Sequence, residues 1–205
     1  MDIERRTYDL IELRAEEGEG KPLRIRGHAA VFNKKSDVIF GFREIVLPGA
    51  FAKSIKKDDI RALWNHDPNF VLGRNKSGTL KLKEDDRGLL SDIELPDTET
   101  ARSLYASIKR GDVDQMSFGF RTITDNWRKD GGDTVRELVE VDLFDVSPVT
   151  YPAYPQTDVS ARSFFEARMA ALNPPPDPET ALYRLKLLRR RLELKAKAQA
   201  GGFHG

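Results

Sequence analysis

Apolar and polar positions in this chain fall into two periods, two and about 3.6, and the elements follow from where each holds. Leu23, Ile25, Gly27, Ala29 and Val31 alternate with Arg24, Arg26, His28 and Ala30, the pattern of a strand with one face turned inward. Glu44-Ile45-Val46-Leu47 predicts a second strand stopped by Pro48, after which Phe51 and Ile55 carry the i, i+4 spacing of a short helix. Ala62, Trp64 and His66 share a face of a third strand, and Pro68 is expected to end its pairing. Residues 79–83 and 88–95 flank Glu84-Asp85-Asp86-Arg87 as a hairpin.

Asp97 or Thr98 then caps a helix whose stripe is Ala101, Leu104, Tyr105 and Ile108, ended by Gly111. Next comes a strand with Met116, Phe118 and Phe120 on one face and Ser117, Gly119 and Arg121 on the other. Residues 126–133 read as a turn-rich connection, and residues 135–149 as a long strand. Residues 1–22 are polar, with a solvated turn at Glu16-Glu17-Gly18-Glu19-Gly20.

Composition changes the picture at the C-terminal end. With 205 residues the chain suits one domain, residues 1–158, plus an appendage, residues 159–205. The appendage predicts a helix over 160–172, a stiff spacer at Asn173-Pro174-Pro175-Pro176-Asp177-Pro178, and a last helix over 179–198. That helix has a narrow apolar seam of Ala181, Leu185, Leu188 and Leu192 in a basic surround. The formal net charge of +1 hides an asymmetry: residues 159–205 carry 9 basic and 4 acidic residues against 25 and 29 in residues 1–158. No run approaches the roughly 18 apolar residues of a membrane span, and the N-terminus has no apolar signal core, so the expectation is a soluble protein that stays where it is made. The absence of cysteine excludes disulfides, thiolate nucleophiles and thiolate zinc sites.

The chemistry centres on Ser117. It looks away from the apolar row of its strand, and Gly119 beside it leaves the backbone open to close approach by another chain. A serine matters only with a base nearby. His66 is one of three histidines, and the strand at 135–149 offers three carboxylates, Glu140, Asp142 and Asp145. Hydroxyl, imidazole and an acid that orients it are what nucleophilic acyl transfer needs. Strict alternation puts Asp145 in a row with Val139, Val141 and Leu143, where a carboxylate needs a partner such as an imidazolium; Glu140 and Asp142 fall on the other face as solvated charges. A zinc site on His66 and Asp67 is disfavoured, because only His28 and His204 can add imidazoles; His28 reads as structural. Neither a metal nor a cofactor is expected.

The segments Ile25-Arg26-Gly27-His28-Ala29-Ala30-Val31-Phe32-Asn33, Leu47-Pro48-Gly49-Ala50-Phe51, Asn65-His66-Asp67 with Leu72-Gly73-Arg74, Met116-Ser117-Phe118-Gly119-Phe120, and Asp145-Val146-Ser147-Pro148-Val149-Thr150-Tyr151-Pro152-Ala153-Tyr154 stand in a telling order. The chain in this way resembles the prohead maturation proteases of tailed bacteriophages, the HK97-like group, over residues 20–157. The resemblance implies an α+β fold with a β-barrel like that of the herpesvirus assemblin proteases, surrounded by helices, and a serine endopeptidase that digests capsid scaffold inside the immature head. It assigns His66 as general base and Ser117 as nucleophile. The third member in that family is usually a Glu just before Val-Ser, where this chain has Asp145.

Phe118 and Gly119 are candidate backbone donors to an oxyanion, and Arg121 a candidate helper. The implied partners are the major capsid protein with its scaffold region, the portal, and a second copy of the chain, with no membrane; for the basic last helix an acidic helical scaffold is favoured over packaged DNA, the competing partner; the implied place is the prohead in the host cytoplasm. The tail would serve targeting or assembly and be removed by self-cleavage. The rival reading is a catalytically silent capsid-assembly or scaffold protein that keeps the protease fold. An α/β-hydrolase esterase is disfavoured, because Gln115-Met116-Ser117-Phe118-Gly119 lacks the small residue two positions before the nucleophile.

Overall fold

In the computed structural model, which describes residues 3–7, 13–16, 22–151, 182, 183 and 186–191, the alternating segments pair into two sheets. In chain order the elements are β1 (Glu4–Thr7), β2 (Arg14–Glu16), β3 (Arg24–Val31), β4 (Arg43–Val46), α1 (Ser54–Lys57), β5 (Arg61–Trp64), β6 (Asp67–Arg74), β7 (Leu80–Glu84), β8 (Gly88–Glu94), α2 (Glu99–Arg110), β9 (Gln115–Asp130) and β10 (Asp133–Val149). One sheet runs β1-β9-β10-β5-β6, with β4 also paired to β10; the other runs β2-β3-β8-β7. The fold is thus a sheet-rich α+β arrangement with few helices. The ladders among the described residues leave these as two sheets and do not close a barrel.

Local chemistry accounts for the elements that position the site. Thr98 caps α2, its hydroxyl oxygen accepting from the Ala101 N–H at 3.3 Å, and Ala101, Leu104, Tyr105 and Ile108 are the buried stripe. Gly111 ends the helix at φ +83° and delivers the chain to β9. Met116, Phe118 and Phe120 enter the core, where Phe118 packs edge-on against Phe51 with ring centres 5.4 Å apart. Residues 126–133, expected as a loose connection, instead complete a long antiparallel ribbon: β9 continues to Asp130 and pairs there with Asp133. The turn needs only Gly131 and Gly132, at φ +59° and +94°, which is why two polar-rich strands can meet so tightly.

Two strands lie in the N-terminal stretch that reads as polar. In β1 the alternation is carried by charge: Glu4 and Arg6 are buried while Arg5 is exposed. They enter a buried ionic cluster. Arg6 donates to Glu44 Oε1 at 2.9 Å and to Glu4 Oε2 at 2.6 Å; Arg136 donates to Glu4 Oε2 at 2.7 Å, Glu44 Oε2 at 3.1 Å, Asp125 Oδ2 at 2.8 Å and Thr122 Oγ1 at 2.7 Å. Burial alone would push the Arg136 guanidinium down, but the carboxylates of Glu44 and Glu4 outweigh it and hold the group well above the usual range. The cluster ties β1, β4, β9 and β10 together.

The chain divides into one compact unit over residues 1–163 and another over 164–205. In the second, residues 182, 183 and 186–191 are helical and exposed. The expected helix over 160–172 and the proline spacer lie outside the described residues.

Truncating one partner of a buried ion cluster strands the others, at a cost of about 3–5 kcal/mol, whereas an exposed pair is worth about 0–1 kcal/mol. Arg136→Leu is therefore expected to lower the urea midpoint sharply or prevent folding. Arg128→Ala, which removes surface pairs to Glu137 and Asp130, should leave the midpoint nearly unchanged. Equal shifts in the two variants would show that the cluster does not hold the sheet.

Candidate active site

The ribbon of β9 and β10 sets the site. Its register puts Ser147 directly across from Ser117 and Asp145 directly across from Gly119, so all four positions share one face of the sheet. On the other face Val146 opposes Phe118 and Leu143 opposes Phe120. Leu143 and Asp145 thus point to opposite faces although they are two residues apart, because the ladder shifts between them. Asp145 does not continue the apolar row of Val141 and Leu143, as strict alternation predicts. The bulge at Phe144 turns its carboxylate toward Ser117.

His66 comes from the turn between β5 and β6. Trp64 pairs with Asp67, leaving Asn65 and His66 as a two-residue turn with φ of +55° and +58°. That is the left-handed geometry of a type I′ hairpin, which usually takes Asn-Gly. His66 therefore sits at a turn tip rather than on a strand face. Pro68 does not end the pairing either; β6 begins at Asp67, and shifts in register absorb the proline before Val71 pairs with Leu63. A histidine held in this region costs of order 1 kcal/mol or more, and the surroundings hold it there. The Asn65 N–H donates to the Pro148 carbonyl at 3.0 Å, its side-chain oxygen accepts from the Thr150 N–H at 2.8 Å, and its amide nitrogen donates to Thr150 Oγ1 at 3.2 Å.

These elements bring three predicted residues together. His66 Nε2 lies 2.7 Å from Ser117 Oγ, and His66 Nδ1 lies 2.5 Å from Asp145 Oδ2. The same carboxylate oxygen accepts from the Ser147 hydroxyl at 2.7 Å. Ser117 is fully buried and Asp145 is 7 % exposed. Ser117 thus faces away from the apolar row but not into water. Gly119 also differs from its expected part: a Cβ there would stand 2.3 Å from Asp145 Oδ1, so the absent side chain makes room for the carboxylate rather than for an outside chain.

The remaining candidates have other partners. Arg121 pairs with Asp142 and lies 5.8 Å from the Phe144 ring centre. That pairing with the Arg121 guanidinium holds the Asp142 carboxyl below the usual carboxylate range. Glu140 accepts from Lys53 at 2.7 Å on the surface. Phe118 and Gly119 lie inside the ladder, with β1 on one edge and β10 on the other. His28 belongs to the other sheet, where it bonds Asp85 at 3.0 Å. Among the described residues no group of three or more His, Asp or Glu side chains is placed to hold a metal.

Sequence reasoning missed Ser147 and Asn65. The signal for Ser147 was its position two residues from Asp145 and hence on the same face; for Asn65, it was Asn-His as a turn dipeptide between two strand patterns. Together the groups stand in one line: a hydroxyl, an imidazole within reach of it, and a carboxylate, itself fixed by Ser147, on the far side of the imidazole, an arrangement suited to moving a proton between them.

Comparison with known proteins adds to this geometry. The chain matches the family described as caudovirus prohead serine protease over residues 9–170. No curated protein matches it. Among solved structures it is similar to the bacteriophage T4 capsid assembly protease, gp21, at 13% sequence identity and a TM-score of 0.45, over 72% of this chain and 96% of that one.

Gly119→Ala is expected to push the Asp145 carboxylate off its place, since no real Cβ stands 2.3 Å from an oxygen. The variant should fold, with a loss of about 1–3 kcal/mol from overpacking, and should lose the far-downfield proton resonance of the His66 Nδ1–H bond to Asp145. A resonance unchanged in the folded variant would show that the carboxylate does not depend on the missing side chain.

Proposed function

This chain belongs to the caudovirus prohead serine protease family and is a serine peptidase, and from that premise we propose that Ser117 is its nucleophile, His66 its general base and Asp145 the acid that orients the base. The observation that carries the reading is the continuous hydrogen-bonded run from Ser117 Oγ through both nitrogens of His66 to Asp145 Oδ2. Ser117 Oγ attacks the scissile carbonyl carbon while its proton passes to His66 Nε2. The tetrahedral species collapses by breaking the C–N bond, and His66 returns the proton to the departing amine. A water molecule, deprotonated by His66, then releases the acyl group and restores the hydroxyl. Asp145 offsets the imidazolium charge in a site where little solvent screens it.

Ser147 and Gly119 act as positioning residues for Asp145, and Asn65 for His66. The substrates in this reading are the scaffold region of the major capsid protein and the chain itself, inside the immature head. The basic segment 159–205 brings the enzyme to an acidic helical scaffold by charge complementarity and is then removed.

Ser117→Ala and His66→Ala are each expected to abolish self-cleavage, read by mass spectrometry of the purified chain after incubation, with the circular dichroism unchanged. Asp145→Asn should keep weak activity, because groups that act as one unit are strongly non-additive and the acid is less essential than the nucleophile or base. Ser147→Ala should fall between Asp145→Asn and the unaltered chain. Normal cleavage by a folded Ser117→Ala protein would remove Ser117 from the reaction. A larger loss in Asp142→Asn than in Asp145→Asn would move the acid to Asp142.

A further inference from the structure

A nucleophile must be reached by its substrate, and Ser117 is wholly out of reach. What covers it is β1, the edge strand of its sheet, which pairs antiparallel with β9 so that Thr7 stands across from Ser117 and Arg6 across from Phe118. The contact goes as far as the reacting atom: the Ser117 hydroxyl donates to the Arg6 carbonyl at 2.9 Å while standing 2.7 Å from His66 Nε2. One hydroxyl proton cannot serve both acceptors. While Arg6 holds it, the proton is not aimed at the base.

We infer that the β9 edge at Ser117 is the substrate-binding surface of this protease, that it takes an extended peptide by strand addition, and that β1 is the chain's own occupant of it. This rests on Ser117 as the nucleophile. Strand addition to a free sheet edge is a common way to hold a peptide, the main chain giving affinity and alternate side chains giving specificity. Successive N–H groups of a strand point to opposite edges, so one of Phe118 and Gly119 directs its N–H at β1. Displacing β1 frees that donor beside Ser117, where a developing oxyanion needs one.

Arg6 also indicates which peptide fits. Its carbonyl lies where the residue contributing the scissile carbonyl would place its own, and its side chain runs to Glu44 and lies 5.4 Å from the Phe120 ring centre. If β1 leaves, Glu4 and Arg6 go together, and Arg136 keeps Glu44 and Asp125 as partners. The cluster then has two acids to one base. A substrate with a basic side chain at the scissile residue restores the missing cation without bringing back the Glu4 carboxylate, so it fits this pocket better than β1 does.

The test is the rate at which a fluorophosphonate modifies Ser117, located by peptide mapping. It compares the full chain, the full chain carrying Glu4→Gln and Arg6→Gln, and a chain lacking residues 1–9. Both altered proteins are expected to react at least about tenfold faster than the full chain, with a peptide of residues 1–10 slowing the shortened chain again. The shortened chain should cleave a peptide with Arg at the scissile residue at least about tenfold faster than its Glu counterpart. Should the shortened chain not fold, the double variant decides the first point. Equal rates in the double variant and the full chain would overturn the cover, and indifference between Arg and Glu peptides would overturn the pocket. Modification in every form at a residue other than Ser117 would instead overturn the nucleophile assignment.

Discussion

The register of β9 against β10 is the constraint on which the site depends. A strand shows alternate residues to alternate faces, so a slip of one residue exchanges core and site wholesale. Here the same pairing that buries Phe118 and Phe120 against Val146 and Leu143 places Ser117 and Gly119 opposite Ser147 and Asp145. The two demands are compatible only because of the shift between Leu143 and Asp145. Without it, filling the core with Leu143 would carry the Asp145 carboxylate into the apolar layer. With it, Leu143 and Val146 fill the core while Asp145 and Ser147 face the site.

His66 is tied to this strand as well. His66 projects from a turn whose two central residues both have left-handed backbones, a geometry that a short hairpin requires and that a histidine adopts at a cost. The bonds that hold Asn65 end on Pro148 in β10 and on Thr150 just past its end, near Asp145 and Ser147. His66 and Asp145 are therefore referenced to the same few residues of backbone. That is how a 2.5 Å contact between groups 79 positions apart in sequence is kept.

Much of this was legible because hydrophobic alternation is a local signal. The β7–β8 hairpin, α2 with its cap and stripe, and the buried row Met116, Phe118 and Phe120 all follow from period alone. What period does not carry was misread. A bulge leaves no mark in the apolar pattern, so Asp145 was placed on the wrong face while being singled out for its need of a charged partner. The strand β1 was missed because Glu4 and Arg6 are buried by pairing with Glu44 and Arg136, residues distant in sequence. Residues 126–133 read as a loose connection because polar residues dominate them, yet Phe42 covers Trp127 with ring centres 5.0 Å apart and the ribbon persists. Gly119 was noticed for the right property, its lack of a side chain, and assigned the wrong neighbour.

Two buried polar systems lie on opposite faces of β9, and their separation explains how each can be stable. On one face the chain of Ser117, His66, Asp145 and Ser147 is hydrogen-bonded throughout, as a polar group out of water must be. On the other, Arg6 and Arg136 are met by Glu4, Glu44 and Asp125. Among the described residues no side chain bonds in both, and the Asp145 carboxylate is met by His66 and Ser147. Asp145 reaches His66 because it stands directly across from a glycine. Its carboxylate lies over the empty place of a side chain and needs no further methylene to reach His66. β1 is the one element that touches both systems, by the Arg6 side chain on one face and the Arg6 carbonyl at the edge beside Ser117.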